Sequence, residues 1–263
     1  MSDGPYAEPP VPPPDEPPLP PLPPPPPEER YPFWGYSDVL LFTGLAVPCL
    51  FAGFALAKAF LFALQLIHMR PVNPVVELLL GQSAGYAFLF GSLVLIFQVH
   101  YDRPLLPSMG WTDPGRPFAA LILLGFATAL GVNLVGLLIQ TPTTTNPMTQ
   151  LLRDRTAIVL VGAFGITLGP ICEELAFRGL LQPLLVRSLG VVPGILAAAI
   201  PFGLLHLPEY GYSWRHGVLV TLAGAAFGWI RHSTGSVKAA AIMHGAYNAF
   251  FFIALMSAPK MAG

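Results

Sequence analysis

Seven apolar runs, most of them near the roughly 20 residues that a helix needs to cross a bilayer, limit what this chain can become. They cover Val39–Leu64, Val75–Val99, Phe118–Ile139, Thr156–Leu181, Val191–His206, Val218–Ile230 and Val237–Met256, the fifth and sixth being the shortest. Polar and apolar residues do not alternate within them, as the strands of a membrane barrel would require, so the runs predict helices. Hydrophobic residues make up 54% of the chain and charged residues 10%. A soluble domain carries about 25% charged residues, and a water-facing surface cannot be built from so few. The expected fold is all-α: a polytopic membrane helix bundle of about seven transmembrane helices, multi-pass and integral to the lipid bilayer.

Four regions follow from the same pattern. Residues 1–30 form an acidic, Pro-rich tail, residues 31–155 the first membrane helices and their loops, residues 156–256 a polar-striped membrane core, and residues 257–263 a short end. The tail, "EPPVPPPDEPPLPPLPPPPPEER", has no apolar periodicity and cannot bury enough surface to fold, so it reads as a disordered or polyproline-II tether. Its PxxP patterns would suit an SH3-like partner; the plain tether is the simpler reading. A net charge of −1 excludes the clustered basic face that nucleic acid requires. Cys49 and Cys172 both lie in apolar runs, without a CxxC pattern, and read as buried free thiols.

The first three runs are chemically sparse. Lys58 has a stem long enough to snorkel to an interface, and Gln65 and Asn133 suit hydrogen bonds between helices. His68, His100, His216 and His232 fall at run ends or in loops. The last hundred residues differ. Glu174 and Arg178 in "EELAFR", Phe202 and His206 in "FGLLH", and His244 and Asn248 in "HGAYN" are each four residues apart. That spacing puts both members on one helix face. Three helices, each turning one polar stripe inward, would enclose a hydrophilic chamber.

Glu173 stands out within that set. It lies about 100° around the helix from Glu174, away from Arg178, and ionisable groups inside a membrane mark function by default. Pro170 removes a backbone hydrogen bond just before it, freeing the carbonyl of Ile166 and allowing a kink. A carboxylate beside a histidine can deprotonate water. A second histidine and an amide opposite can donate to an oxyanion. Peptide-bond hydrolysis needs that inventory: Glu173 and His206 for the water, His244 and Asn248 for the tetrahedral intermediate. Two other uses of the same stripe stay open, an ion or proton path in a transporter and a non-catalytic membrane scaffold.

The three motifs "EELAFRGLLQPLL", "FGLLHL" and "HGAYNAF" resemble, in order, those of the CPBP family of intramembrane endopeptidases, which includes the type II CAAX prenyl endopeptidases and bacteriocin-processing, Abi-type proteins. The resemblance runs from about Thr156 to Phe252 and meets every position of EExxxR, FxxxH and HxxxN. It implies a membrane protease with Glu173 as general base, His206 as its partner, His244 and Asn248 as oxyanion donors, and Glu174, Arg178 and Phe202 supporting them. The implied substrate is a peptide or protein that is prenylated or otherwise membrane-anchored. No cofactor is expected. Were a Zn²⁺ ion used, Glu173, Glu174, His206 and His244 are the ligand types for it, although HExxH is absent.

Overall fold

The computed structural model describes residues 30–67, 73–142 and 155–257. The Pro-rich tail up to residue 29, His68, the loop 143–154 and the end from residue 258 lie outside the described residues.

Helix α1 (Tyr36–Leu66) and helix α2 (Pro74–Tyr101) form the first antiparallel pair. Asp38, in the first turn of α1, accepts from the Gly35 N–H at 2.8 Å and from the Tyr101 hydroxyl at 2.8 Å, which ties the start of one helix to the end of the other. The Asn73 side chain accepts from Val75 N–H at 2.9 Å, and Pro74 opens α2 with no N–H to leave unpaired. The pair crosses at glycines: a Cβ on Gly53 would lie 2.2 Å from the Gly85 nitrogen and 2.5 Å from the Gly81 carbonyl oxygen. In lipid, where hydrophobic burial no longer drives association, such backbone contact supplies much of the packing.

After the short α3 (Leu105–Ser108) and α4 (Phe118–Leu138) comes one broken rod. It consists of α5 (Arg155–Ile166), α6 (Leu168–Glu174), a π-helical segment (Leu175–Leu181) and α7 (Gln182–Leu189). Helix α8 (Val191–Leu205) leads through a 3₁₀ turn (Leu207–Tyr210) into α9 (Trp214–Thr234) and α10 (Val237–Ser257). All regular structure among the described residues is helical.

Among the described residues five rods are long and apolar enough to cross a membrane: α1, α2, α4, the broken rod Arg155–Leu189, and α10. The chain is a multi-pass integral membrane protein. The remaining two of the expected seven differ from full spans. Helix α8 has 15 residues, about 22 Å at 1.5 Å per residue, against a hydrocarbon core of about 30 Å. Helix α9 is long enough but carries Arg215, His216, Arg231 and His232 toward its ends. Helix α1 is the most peripheral, with 6% of its most apolar stretch buried against 39% for α10, so α10 stands nearest the centre.

Several polar expectations for the first helices change. Gln65 and Asn133 are exposed rather than turned between helices. Lys58 does reach outward, its ammonium 3.8 Å from Glu77 on α2. Cys172 is buried but Cys49 only half-buried, and both thiols are free.

Candidate active site

The broken rod sets the site. Pro170 has no N–H for the Ile166 carbonyl, and the helix gives way at Thr167, whose φ/ψ of −120°/−86° is not helical. The break strips the carbonyls of Gly165 and Ile166 of their usual helical partners. Helix α10 covers both. Asn248 donates its amide to Gly165 O at 2.7 Å. One turn earlier, Gly245 lies so close that a Cβ there would stand 2.4 Å from Ile166 O. Beyond the break, the Gln182 N–H reaches back five residues to the Phe177 carbonyl, the π pattern, which in other helices often marks functional sites.

Around this break, Glu174 is fully buried and Arg178 is 1% exposed. Arg178 Nη1 donates to Glu174 Oε1 at 2.9 Å, as their spacing implied, and Nη2 donates to the Gly224 carbonyl of α9 at 2.7 Å. The guanidinium also stands 4.4 Å from the Phe202 ring centroid, within cation–π range. His244 Nδ1 lies 2.9 Å from the same Glu174 oxygen. A carboxylate paired with arginine accepts only, so Nδ1 carries the proton. The His244 ring stacks on Phe227 at 4.5 Å and 19°.

Glu173 occupies the accessible side, its side chain 28% exposed. Its Oε2 faces His206 Nε2 at 3.9 Å and His244 Nε2 at 3.8 Å. His206 Nδ1 is 2.7 Å from the Phe202 carbonyl, which can only accept, so this ring too is protonated on Nδ1 and turns Nε2 toward Glu173. The carboxylate oxygen and two imidazole nitrogens thus converge on one gap, too wide for direct hydrogen bonds and of a width that a bridging water suits. The structure brings together Glu173, Glu174, Arg178, Phe202, His206 and His244. Asn248 is placed one turn along α10 at the helix break, where one amide N–H bonds the Gly165 carbonyl.

The alternative Zn²⁺ set is Glu173, Glu174, His206 and His244. Among the described residues no group of three or more His, Cys, Asp or Glu side chains is arranged to hold a metal ion. Glu174, one of its four members, is already engaged by Arg178 and His244.

Three contributors were not legible from the motifs. Gln182 donates to the Gly228 carbonyl at 2.9 Å, repeating one turn on the bond from Arg178 to Gly224. The spacing Gly224-xxx-Gly228 in an apolar helix was the available signal. Trp34, 1% exposed, donates its indole N–H to Leu180 O within the π segment at 3.0 Å. Tyr210, in the turn after His206, has its hydroxyl pushed up to about 12 by burial and then by the charges of Glu209 and Glu173, so it stays a neutral donor.

No curated protein and no solved structure matches this chain. A family model does, and it covers the broken rod, α8, α9 and most of α10, the segment that holds the residues of all three motifs. Residues 155–250 match the family described as type II CAAX prenyl endopeptidase Rce1-like, consistent with the CPBP family to which the three motifs point.

Proposed function

We propose that the protein is a glutamate-type intramembrane endopeptidase that hydrolyses a peptide bond in a membrane-associated substrate. The observation that carries this reading is the convergence of Glu173 Oε2 with both Nε2 atoms at 3.8 and 3.9 Å. A water in that gap gives a proton to Glu173 as its oxygen attacks the scissile carbonyl carbon. The carbonyl electrons move onto oxygen, and Glu173 returns the proton to the departing amine as the C–N bond breaks. His206 orients the water through Nε2.

His244 donates to the oxyanion when its Nε2 is protonated, with the Glu174 carboxylate at Nδ1 as counter-charge. Asn248 has a second amide N–H beyond the one given to Gly165, and serves the oxyanion from there while it holds the break closed. Glu174, Arg178 and Phe202 position His244 and His206. The reaction runs without a metal. Glu174 is instead committed to Arg178 and His244 through Oε1.

Substrates are peptides or proteins held at the bilayer, and the matched family's description favours prenylated C-terminal peptides among them. The test is cleavage of a quenched fluorescent peptide library, prenylated members included, by the purified protein in nanodiscs with and without a strong chelator. Cleavage indifferent to chelator is expected. Cleavage abolished by chelator and restored by Zn²⁺ contradicts the metal-free mechanism, and no cleavage by a folded protein contradicts the protease.

A further inference from the structure

Away from the gap at Glu173 lies a second cavity, of about 290 Å³, between the ends of α7 and α9 and the chain entering α1. Its polar lining is Tyr31, Arg178, Gln182, Arg187, Arg231 and His232, and among the described residues no acidic side chain borders it. Three guanidinium groups and an imidazole therefore share one hollow. Arg178 is neutralised by Glu174. The other two arginines are not: Arg231 Nη2 donates to the Tyr31 hydroxyl at 3.0 Å and toward the Met109 carbonyl at 3.4 Å, and Arg187 donates to the Pro32 carbonyl. These acceptors are neutral, and neither arginine is in an ion pair among the described residues.

Arg231 is also only 8% exposed, and its Nε is buried with no hydrogen-bond partner. A buried, uncompensated guanidinium is expensive in any fold. The cavity is far larger than the roughly 30 Å³ that one water occupies in the liquid, so it has room for the group that would compensate it. Arginine forks match the oxygens of phosphate.

The surroundings say where that phosphate comes from. The cavity lies at helix ends, where headgroups sit. Leu189 at the end of α7, Val192 at the start of α8 and Trp229 on α9 are each more than half exposed. Trp229 stands 6.1 Å from His232, and tryptophan favours the headgroup level of a bilayer. Apolar surface for acyl chains thus adjoins a cationic hollow for the headgroup. We propose that this cavity binds the phosphate headgroup of an anionic phospholipid, held by Arg187 and Arg231 with His232 and Tyr31. Basic pockets between membrane helices take such headgroups. Through Arg178 the bound lipid would back directly onto the Glu174–His244 support of the site. The assignment does not depend on proteolysis.

The test is native mass spectrometry of the full chain released from nanodiscs holding equal phosphatidylglycerol and phosphatidylcholine. Wild type should retain phosphatidylglycerol preferentially. Arg187→Gln, at an exposed position, should fold normally and retain it roughly fivefold less, the effect of one basic group near a membrane surface. His232→Gln, also exposed, gives a second reading that spares buried Arg231. Lys238→Gln, exposed and outside the cavity lining, should change nothing. Equal retention of the two lipids overturns the proposal, as does a loss in Lys238→Gln equal to that in Arg187→Gln. Displacement of the lipid by millimolar inorganic phosphate overturns the lipid as occupant in favour of a free anion.

Discussion

His244 Nδ1 and Arg178 Nη1 converge on one oxygen, Oε1 of Glu174, each at 2.9 Å. The other oxygen of that carboxylate is buried without a partner. One atom therefore joins α10 to the π segment and, through Arg178, to α9. The pair Glu174–Arg178 is sealed from solvent while Glu173, its neighbour in sequence, faces the gap.

Because the pair is sealed, removing one member strands the other. Arg178→Gln should lose about 3–5 kcal/mol of stability, the usual cost of breaking a buried ion pair. Glu174→Gln should lose a similar amount. The double variant should lose less than the sum of the two. Thermal melts of the three proteins in detergent check the cycle.

Glycine at 224 leaves room for two groups at once. A Cβ there would meet a Phe202 ring carbon at 2.9 Å and Arg178 Nη2 at 3.0 Å. Gly224→Ala should therefore cost about 1–3 kcal/mol through overpacking and reduce cleavage with it. Gly131→Ala is the contrast, because nothing lies within 4 Å of its Cβ. It should be neutral or slightly stabilising, alanine being the better helix former, and its melting midpoint checks this.

Trp34→Phe removes a single hydrogen bond, the one to Leu180 O. The expected loss is about 1 kcal/mol for the hydrogen bond, with a further cost for the void that the smaller ring leaves at this buried position. It should be concentrated in the π segment, so hydrogen exchange across Leu175–Leu181 should rise more than exchange in α1 or α4.

Acid should loosen the turn after His206. His216 stacks on Tyr210 at 4.7 Å, its Nδ1 is buried without a partner, and burial lowers its pKa from 6.5. The unfolded turn then binds the proton first, so stability is complete above about pH 6.5 and falls as pH drops below it. Hydrogen-exchange protection over Leu207–Arg215, taken relative to the intrinsic exchange rate at each pH, should be lower at pH 5 than at pH 7.5, and His216→Gln should flatten that difference.

The helical rods were legible because each apolar run is long and continuous; α2, α4 and α10 begin and end within a few residues of their runs. The polar stripe was legible because a spacing of four fixes a shared face, which is why Glu174 meets Arg178 and why His206 meets the Phe202 carbonyl. What stayed hidden depends on tertiary placement. A proline signals a kink but not that the chain breaks at Thr167, nor that Asn248 will be drawn to the Gly165 carbonyl so released. The π segment has no signature in residue type, and its Leu180 carbonyl is met by Trp34, 146 positions away. The run Val191–His206 looked like a span because composition reports apolarity. Its 15 helical residues end just before Pro208, which opens the 3₁₀ turn and cannot continue the helix.

The central claim is that Glu173 activates the water. Its side chain is partly exposed and no direct hydrogen bond ties it to either histidine, so Glu173→Gln should leave the fold intact and act on chemistry alone. The decisive measurement compares single-turnover cleavage of one peptide substrate by wild type and Glu173→Gln in the same nanodiscs, with melting midpoints recorded for both. The account predicts equal midpoints and a rate reduced by about 10²–10⁴-fold, the usual worth of a general base. Cleavage by the folded Glu173→Gln protein at the wild-type rate would contradict it.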